Sequence, residues 1–328
     1  MADRAVRFVA REQAELAAYE RDPKPIGPEE LAGPTVATLI SAGTELALYQ
    51  GHHHAAQFPM SPGYAAVFRA EEVGGEAAGF RVGDPVFCLG PHASYQRVHR
   101  SGALRVPEGL PAQEALFARM MGISMSTLTT TTARPPGKVL VTGLGPVGHL
   151  AARVLALCGY EVHACDPDPQ RRAIAEAAGL RRVYPAVPVD DPAVAGQVDL
   201  VLECSGREEP TLEGCRVVRK RGEVVLVGVP WQRTSELSAH ELLHAVFHQY
   251  AVVRSGWEWE VPRLPTDFRV NSLYGNMAAA LEWLAEGRLK VGELCHVASC
   301  RDPQAVFQDL LNRRMERLVV VLDWSDRV

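Results

Sequence analysis

Short apolar runs alternate with stretches of helical period through the middle of this chain. That is the pattern of strands buried on both faces and joined by helices. Val139, Leu140 and Val141 form the first run, and residues 149–158 read as the helix after it, with Leu150, Val154, Leu155 and Leu157 available to face a sheet. A strand over 161–165 and a helix over 170–178, ended by Gly179, come next. Strands over 199–204, 223–227 and 251–254 follow, with helices over 211–218 and 238–247 between them. The prediction is an α/β unit with a doubly wound parallel sheet, whose ligand sits at the carboxyl ends of the strands. A helix over 276–287 and a late apolar strand over 317–322 remain, and because the sheet is already complete the tail is expected to return to the first part of the chain.

The first 110 or so residues carry a different pattern. Strand-like runs over 35–40, 64–70, 85–87 and 95–98 are short, closely spaced and separated by Gly and Pro, which predicts a compact antiparallel or barrel-like unit. No internal repeat or low-complexity linker interrupts the chain.

The turn after the first central strand adds chemistry. Residues 139–148 read VLVTGLGPVG, and 18 residues after the last of these glycines stands Asp166. Gly143 permits the tight turn, Gly145 lets the backbone approach a pyrophosphate, and Gly148 lets the helix pack close to the strand. Pro146 and Val147 lie between them, at a helix start whose free N–H groups and positive dipole end favour phosphate. At the end of the second strand, Asp166 can accept from both ribose hydroxyls of an adenosine. Its carboxylate would repel a 2′-phosphate, so the pattern favours NAD(H) over NADP(H). Arg171 and Arg172 weigh against that preference, and the reading taken for them is a solvated first turn of the next helix.

Bulk properties narrow the partners. The 328 residues are 47% hydrophobic and 22% charged, with a net charge of −5 and a pI near 6.1. That balance gives no electrostatic case for nucleic acid or an anionic membrane surface. No apolar run approaches the ~18 residues of a membrane helix, and the opening residues lack the apolar core of a signal peptide. Seven cysteines are scattered without a CxxC pair. A reducing, cytoplasmic setting without disulfides follows most simply.

The ordered set GTELALYQG (43–51), PGYAAV (62–67), GFRVGDPVF (79–87), the glycine motif, DLVLECSG (199–206), GEVVLVGVP (222–230) and NMAAALEWLAEGRL (276–289) resembles the medium-chain dehydrogenase/reductase superfamily over nearly the whole chain. The resemblance implies a mostly β, GroES-like catalytic domain over 1–111, an NAD-binding Rossmann domain over 112–258 and a return to the catalytic domain over 259–328. It implies NAD(H) held by the glycine motif and Asp166, with Arg171, Ser205, Gly228, Val229 and Ser255 around the dinucleotide. A small-molecule substrate entering past Thr44, His53, Tyr64 and residues 257–260, and a homodimer paired through the last sheet strands, are further implications.

The chain departs from the superfamily's zinc enzymes at each ligand position. Ala42 stands where they carry a cysteine, Tyr64 where a histidine should follow the PG pair, and residues 118–126 offer neither Cys nor Glu for the third ligand. A structural zinc would need four clustered cysteines, and only Cys88 follows the GFRVGDPVF segment. Zn²⁺ needs thiolate, imidazole or carboxylate ligands, so no metal is expected. Thr44 then becomes the first candidate for proton transfer, matching the hydroxyl that begins the superfamily's relay. Tyr64 either donates a proton or fills the metal's space, and Glu45 either orients the relay or binds substrate hydroxyls, or else serves a helix N-terminus. His53 lies two residues after Gln50-Gly51, where zinc-free enoyl reductases of the superfamily place a tyrosine donor.

Residues 240–244 (HELLH) match the zincin pattern, with His248 one turn on. Because this helix lies inside the alternating unit, a solvated or interface face is the expected reading. The chain is expected to be a zinc-independent, NAD-linked oxidoreductase acting at a secondary alcohol or ketone of a sugar, cyclitol or related compound. A zinc-free enone or quinone reductase and a catalytically silent nucleotide-binding protein are the alternatives.

Overall fold

The computed structural model describes residues 3–325, so the outermost positions of the spans 1–111 and 259–328 lie outside the described residues. The chain divides into two compact units, Met1–Arg119 with Met277–Val328, and Met120–Asn276. The divisions fall eight residues beyond 111 and 18 beyond 258, and each lies inside a helix.

The first unit opens with a hairpin that the hydrophobic pattern had not suggested. β1 (Asp3–Ala10) pairs antiparallel with β2 (Gln13–Tyr19), turning through Glu12 at φ 57°. β3 (Glu30–Ile40) leads directly into α1 (Ala42–Tyr49). β4 (Ala65–Arg69), β5 (Glu72–Val73), β6 (Pro85–Cys88), β7 (Tyr95–His99) and β8 (Ala103–Arg105) follow, then α2 (Ala112–Ala115) and α3 (Phe117–Thr130). As the spacing of short runs predicts, the pairing of β3 with β4, β5 and β7, and of β6 with β4 and β8, is antiparallel throughout.

In the second unit β9 (Lys138–Thr142), β10 (Glu161–Cys165), β11 (Val183–Tyr184), β12 (Val198–Glu203), β13 (Val218–Leu226) and β14 (Val252–Ser255) form one parallel sheet. Its order is β11-β10-β9-β12-β13-β14. The helices between strands are α4 (Pro146–Leu157), α5 (Pro169–Ala177), α6 (Glu208–Val217) and α7 (Ala239–Gln249). Side chains alternate across a strand, and here both faces are dry. Val139, Val141, Leu200 and Leu202 pack with Ala151, Leu155 and Ala175 on one side. Leu140 and Val201 pack with Leu212, Cys215 and Ala245 on the other.

Residues from Met277 onward belong to the first unit. α8 (Leu273–Ala285) is followed by β15 (Cys295–Ser299), α9 (Pro303–Leu311) and β16 (Val319–Asp323). β16 pairs antiparallel with β3, placing Val320 opposite Ile40, and parallel with β15. Phe8, Tyr49 and Phe307 meet with ring centroids 4.8–5.4 Å apart. These rings, with Ile40, Val320 and Leu322, form a buried core beneath α1.

Candidate functional site

The glycine turn in the second unit is built for close approach. The helix after it begins at Pro146, three residues before the start read from periodicity. Proline suits that first position because it fixes φ and its missing N–H would have no intrahelical partner. Gly148 therefore lies within the first turn, where a Cβ would fall 1.8 Å from the Gly143 carbonyl oxygen. Gly143 has φ +84°, and a Cβ on it would lie 2.9 Å from the Ser205 backbone nitrogen. Gly145 differs: the nearest atom to a Cβ there is Arg171 Nη1, 3.9 Å away. Packing does not require glycine at 145, so its bareness leaves backbone open to a ligand, the arrangement a pyrophosphate needs.

Asp166 is nearly fully buried and already engaged. Leu144 N–H donates to its Oδ2 at 2.7 Å and Asp168 N–H to its Oδ1 at 2.9 Å. Oδ1 keeps a second lone pair for a hydroxyl donor, whereas Oδ2 also accepts from Arg171 Nη1 at 3.4 Å. Arg171 and Arg172 lie in the first turn of α5, partly exposed, and also reach back to the end of β10. Arg171 Nη1 lies 3.4 Å from Asp166 Oδ2, and Arg172 Nη1 donates to the carbonyls of Asp166 and Pro167 at 2.8 Å. The two guanidiniums thus clamp the end of β10.

Two further turns close the carboxyl end of the sheet. A Cβ on Gly206 would lie 2.5 Å from the Val229 carbonyl oxygen, and one on Gly228 2.3 Å from the Gly206 nitrogen. Ser205, Gly228 and Val229 thereby belong to one tightly packed edge, while Ser255 ends β14 and its hydroxyl accepts from Trp257 N–H at 3.2 Å. Glu203, which the sequence reading passed over inside an apolar run, lies buried beneath this edge. Burial pushes its carboxyl upward, while donors from Ser205, Gly206 and Thr142 pull it down.

Thr44, Glu45 and Tyr64 follow the paired ends of β3 and β4, while His53 lies beyond the other end of α1, its backbone N–H donating to the Ala47 carbonyl at 3.1 Å. In the β3–β4 register Leu39 faces Ala65, so Tyr64 stands one step beyond, and α1 starts two residues after Ile40. Gly63 has φ +153°, and a Cβ there would lie 2.2 Å from Pro91 Cα. That glycine admits the 91–92 loop, and His92 N–H donates to the Pro62 carbonyl at 3.0 Å.

His92, which no motif singled out, is fully buried beside Glu45. Trp324 Nε1–H donates to Thr38 Oγ1 at 3.0 Å, leaving the threonine hydroxyl to donate to His92 Nδ1 at 2.7 Å. His92 Nε2–H then donates to Glu45 Oε1 at 3.0 Å, and Ser41 N–H to Glu45 Oε2 at 2.7 Å. This chain assigns the imidazole tautomer from the donor inventory. Glu45 Oε2 thus serves the helix N-terminus, and its Oε1 holds a buried histidine that no motif marks. Thr44, in the first turn of α1, is half-buried.

Tyr64 faces Arg119, whose guanidinium carbon lies 4.2 Å from the ring centroid. Arg119 is nearly fully buried, and it comes from the segment in which zinc relatives carry their third ligand. His53 accepts from Ala55 N–H at 2.9 Å through Nδ1 and stacks on His54 with centroids 4.5 Å apart. Burial, then the neighbouring imidazole, lowers its pKa, which favours the neutral ring.

The donor set does not suit zinc. Ala42, Tyr64 and Arg119 offer no ligand, and burial pushes the Cys88 thiol up to about 12. Among the described residues no three His, Cys, Asp or Glu side chains are grouped to hold a metal. On α7, His240, His244 and His248 form an exposed stripe with centroids 6.2 and 4.2 Å apart. Glu241 is occupied in a capping box with Ser238.

A zinc-binding dehydrogenase family profile matches residues 146–259. Sorbitol dehydrogenase of Halalkalibacterium halodurans is 24% identical over 57% of this chain and 66% of its own length. The chain thus spans just under two thirds of that relative. Galactitol-1-phosphate dehydrogenase of Escherichia coli superposes with a TM-score of 0.83 at 16% identity, covering 98% of this chain and 99% of that one. A protein of Sinorhizobium meliloti described as a zinc-binding dehydrogenase and solved with bound NADP gives 0.79 at 18% identity, with coverages of 98% and 99%. At such identities the structural likeness is one of fold. No helix among the described residues is long and apolar enough to cross a membrane.

Proposed function

The chain belongs to the medium-chain dehydrogenase/reductase superfamily, and on that premise we propose that it is a zinc-independent, NAD(H)-linked oxidoreductase. Hydride would pass reversibly between the nicotinamide and a secondary alcohol or ketone of a polar hydroxylated small molecule, such as a sugar or cyclitol. The observation that carries this reading is the bare Gly145 backbone beside a buried Asp166. Gly145, Val147 and Gly148 would receive the pyrophosphate, with Pro146 fixing the helix start. Asp166 would accept from the adenosine ribose, and Arg171 would lie beside it. Ser205, Gly228, Val229 and Ser255 would line the remainder of the dinucleotide.

When bound, the nicotinamide supplies or takes the hydride, and the first unit's residues handle the proton. Thr44 is the first choice for that transfer, because its hydroxyl both accepts and donates. Glu45, held by His92 and Ser41, fixes the helix turn that carries Thr44. Tyr64 and His53 are the other candidates. Cytoplasmic location and a homodimer paired through the β14 edges belong to the same reading.

Mixing the protein with NADH or NADPH and a panel of ketones and enones tests it. Oxidation of NADH by hydroxylated ketones supports the proposal. Preference for NADPH with enones would favour a quinone or enone reductase, a reading that Arg171 beside Gly145 keeps in view. Tight NADH binding without turnover would favour a silent binding protein, and one stoichiometric zinc per chain would overturn zinc independence.

Asp166→Asn should weaken NADH binding roughly tenfold while leaving NADPH binding within about twofold. Fluorescence titration of both cofactors checks this. If Asp166 served only the loop, through Leu144 and Asp168, both affinities would fall together.

A further inference from the structure

Four consecutive N–H groups after β12 turn inward. Cys204 N–H donates to the Thr142 carbonyl at 2.8 Å. Ser205 N–H donates to Glu203 Oε1 at 2.7 Å and Gly206 N–H to Glu203 Oε2 at 3.0 Å. Arg207 N–H donates to Ser205 Oγ at 3.2 Å. The hydroxyls of Ser205 and Thr142 also donate to Glu203 Oε1, the latter at 3.2 Å. A buried carboxylate, which only accepts, has therefore collected the donors around it. What the turn retains for a ligand is the carbonyl oxygens of residues 204–206, since the Thr211 hydroxyl donates to that of Arg207 at 2.8 Å.

This polarity is opposite to that of the neighbouring glycine turn. The start of α4 offers N–H groups and suits an anion. An acceptor-only turn suits a ligand portion that brings donors, such as ribose hydroxyls or a carboxamide NH₂. The two turns touch, since a Cβ on Gly143 would lie 2.9 Å from the Ser205 nitrogen. The main chain of Glu203 ties the third turn as well, because Val227 and Gly228 N–H donate to its carbonyl at 2.8 and 2.7 Å.

We propose that Glu203 is a positioning residue of the dinucleotide site, holding the 204–207 turn so that it meets the nicotinamide riboside half with acceptors alone. The proposal rests on the dinucleotide reading above. In Glu203→Gln one carboxylate oxygen becomes an NH₂ facing N–H donors, so a donor–donor clash must release Ser205 or Gly206. A released N–H then points at the ligand's own donors.

Calorimetric titration of the full chain with ADP and with NADH tests this. Wild type should bind both. Glu203→Gln should bind ADP within about twofold of wild type and NADH at least roughly tenfold more weakly, the cost of losing a charge-assisted hydrogen bond. Ser205→Ala, which removes one hydroxyl donor and leaves the core intact, should shift the same ratio by roughly threefold, and it decides the matter should the glutamine variant not fold. Unchanged NADH binding in both variants would overturn the proposal, as would an equal loss for ADP and NADH, the mark of a merely structural role. Wild type that binds neither ADP nor NADH would instead remove the dinucleotide reading, and this proposal with it.

Discussion

Thr44→Val should lower kcat roughly 100-fold or more with the best carbonyl substrate, while NADH affinity stays unchanged. The substitution keeps the β-branched shape and removes only the hydroxyl. Neither the Glu45–His92–Thr38–Trp324 hydrogen bonds nor the Ser41–Glu45 bond involves Thr44, so α1 should keep its place. Tyr64→Phe is the necessary companion. It removes the phenol yet preserves a ring face for Arg119. With Thr44 as the proton-transfer group, Tyr64→Phe should cost less than roughly tenfold, because the ring's task is then to fill space and face the cation. Steady-state kinetics of the two single variants decides between them. A larger loss for Tyr64→Phe would transfer the role to the phenol.

The second large effect concerns stability. His149 lies one residue past the glycine motif, fully buried, and neither ring nitrogen has a hydrogen-bond partner. Burial, with a smaller push from Arg153, drives its pKa down from 6.5 to about 4. The unfolded chain takes up a proton at His149 below pH 6.5, whereas the folded one resists until about pH 4. The contribution is therefore fully present above pH 6.5 and is lost as pH falls toward 4. The shift corresponds to about 3 kcal/mol across the window, about 2 kcal/mol of it by pH 5. His149→Leu removes the titration and an unsatisfied polar group together. At pH 7 the variant should match or exceed wild type by about 1 kcal/mol, and its advantage should widen as pH falls. Urea denaturation at pH 7 and pH 5 measures this, and a constant difference between the two proteins would refute it.

The sequence disclosed what depends on local pattern. Apolar strand runs, helix periodicity and the glycine spacing are each written within a few residues, so the parallel sheet and its glycine turn were legible. The position of Asp166 was legible too, but not its engagement, which depends on how the turn brings the Leu144 amide onto its carboxylate. His92 left no trace because its partners lie 47 and 54 positions away. Glu203 was hidden for the opposite reason, a single acid inside an apolar strand that looks like one polar interruption. The β1–β2 hairpin escaped notice because Arg11-Glu12 carries no glycine, proline or asparagine to mark the turn, although Glu12 adopts the left-handed conformation.

On the proposed zinc-free reading, the Arg119 guanidinium over the Tyr64 ring would itself keep a metal away. Ala42→Cys combined with Tyr64→His would supply two ligand types and leave the buried Arg119 guanidinium in place. A fixed positive charge opposes the arrival of a divalent cation, and more strongly where water is scarce. Adding ligands alone would therefore not make a metal site there, and on that reading the proton chemistry falls to hydroxyls and imidazoles.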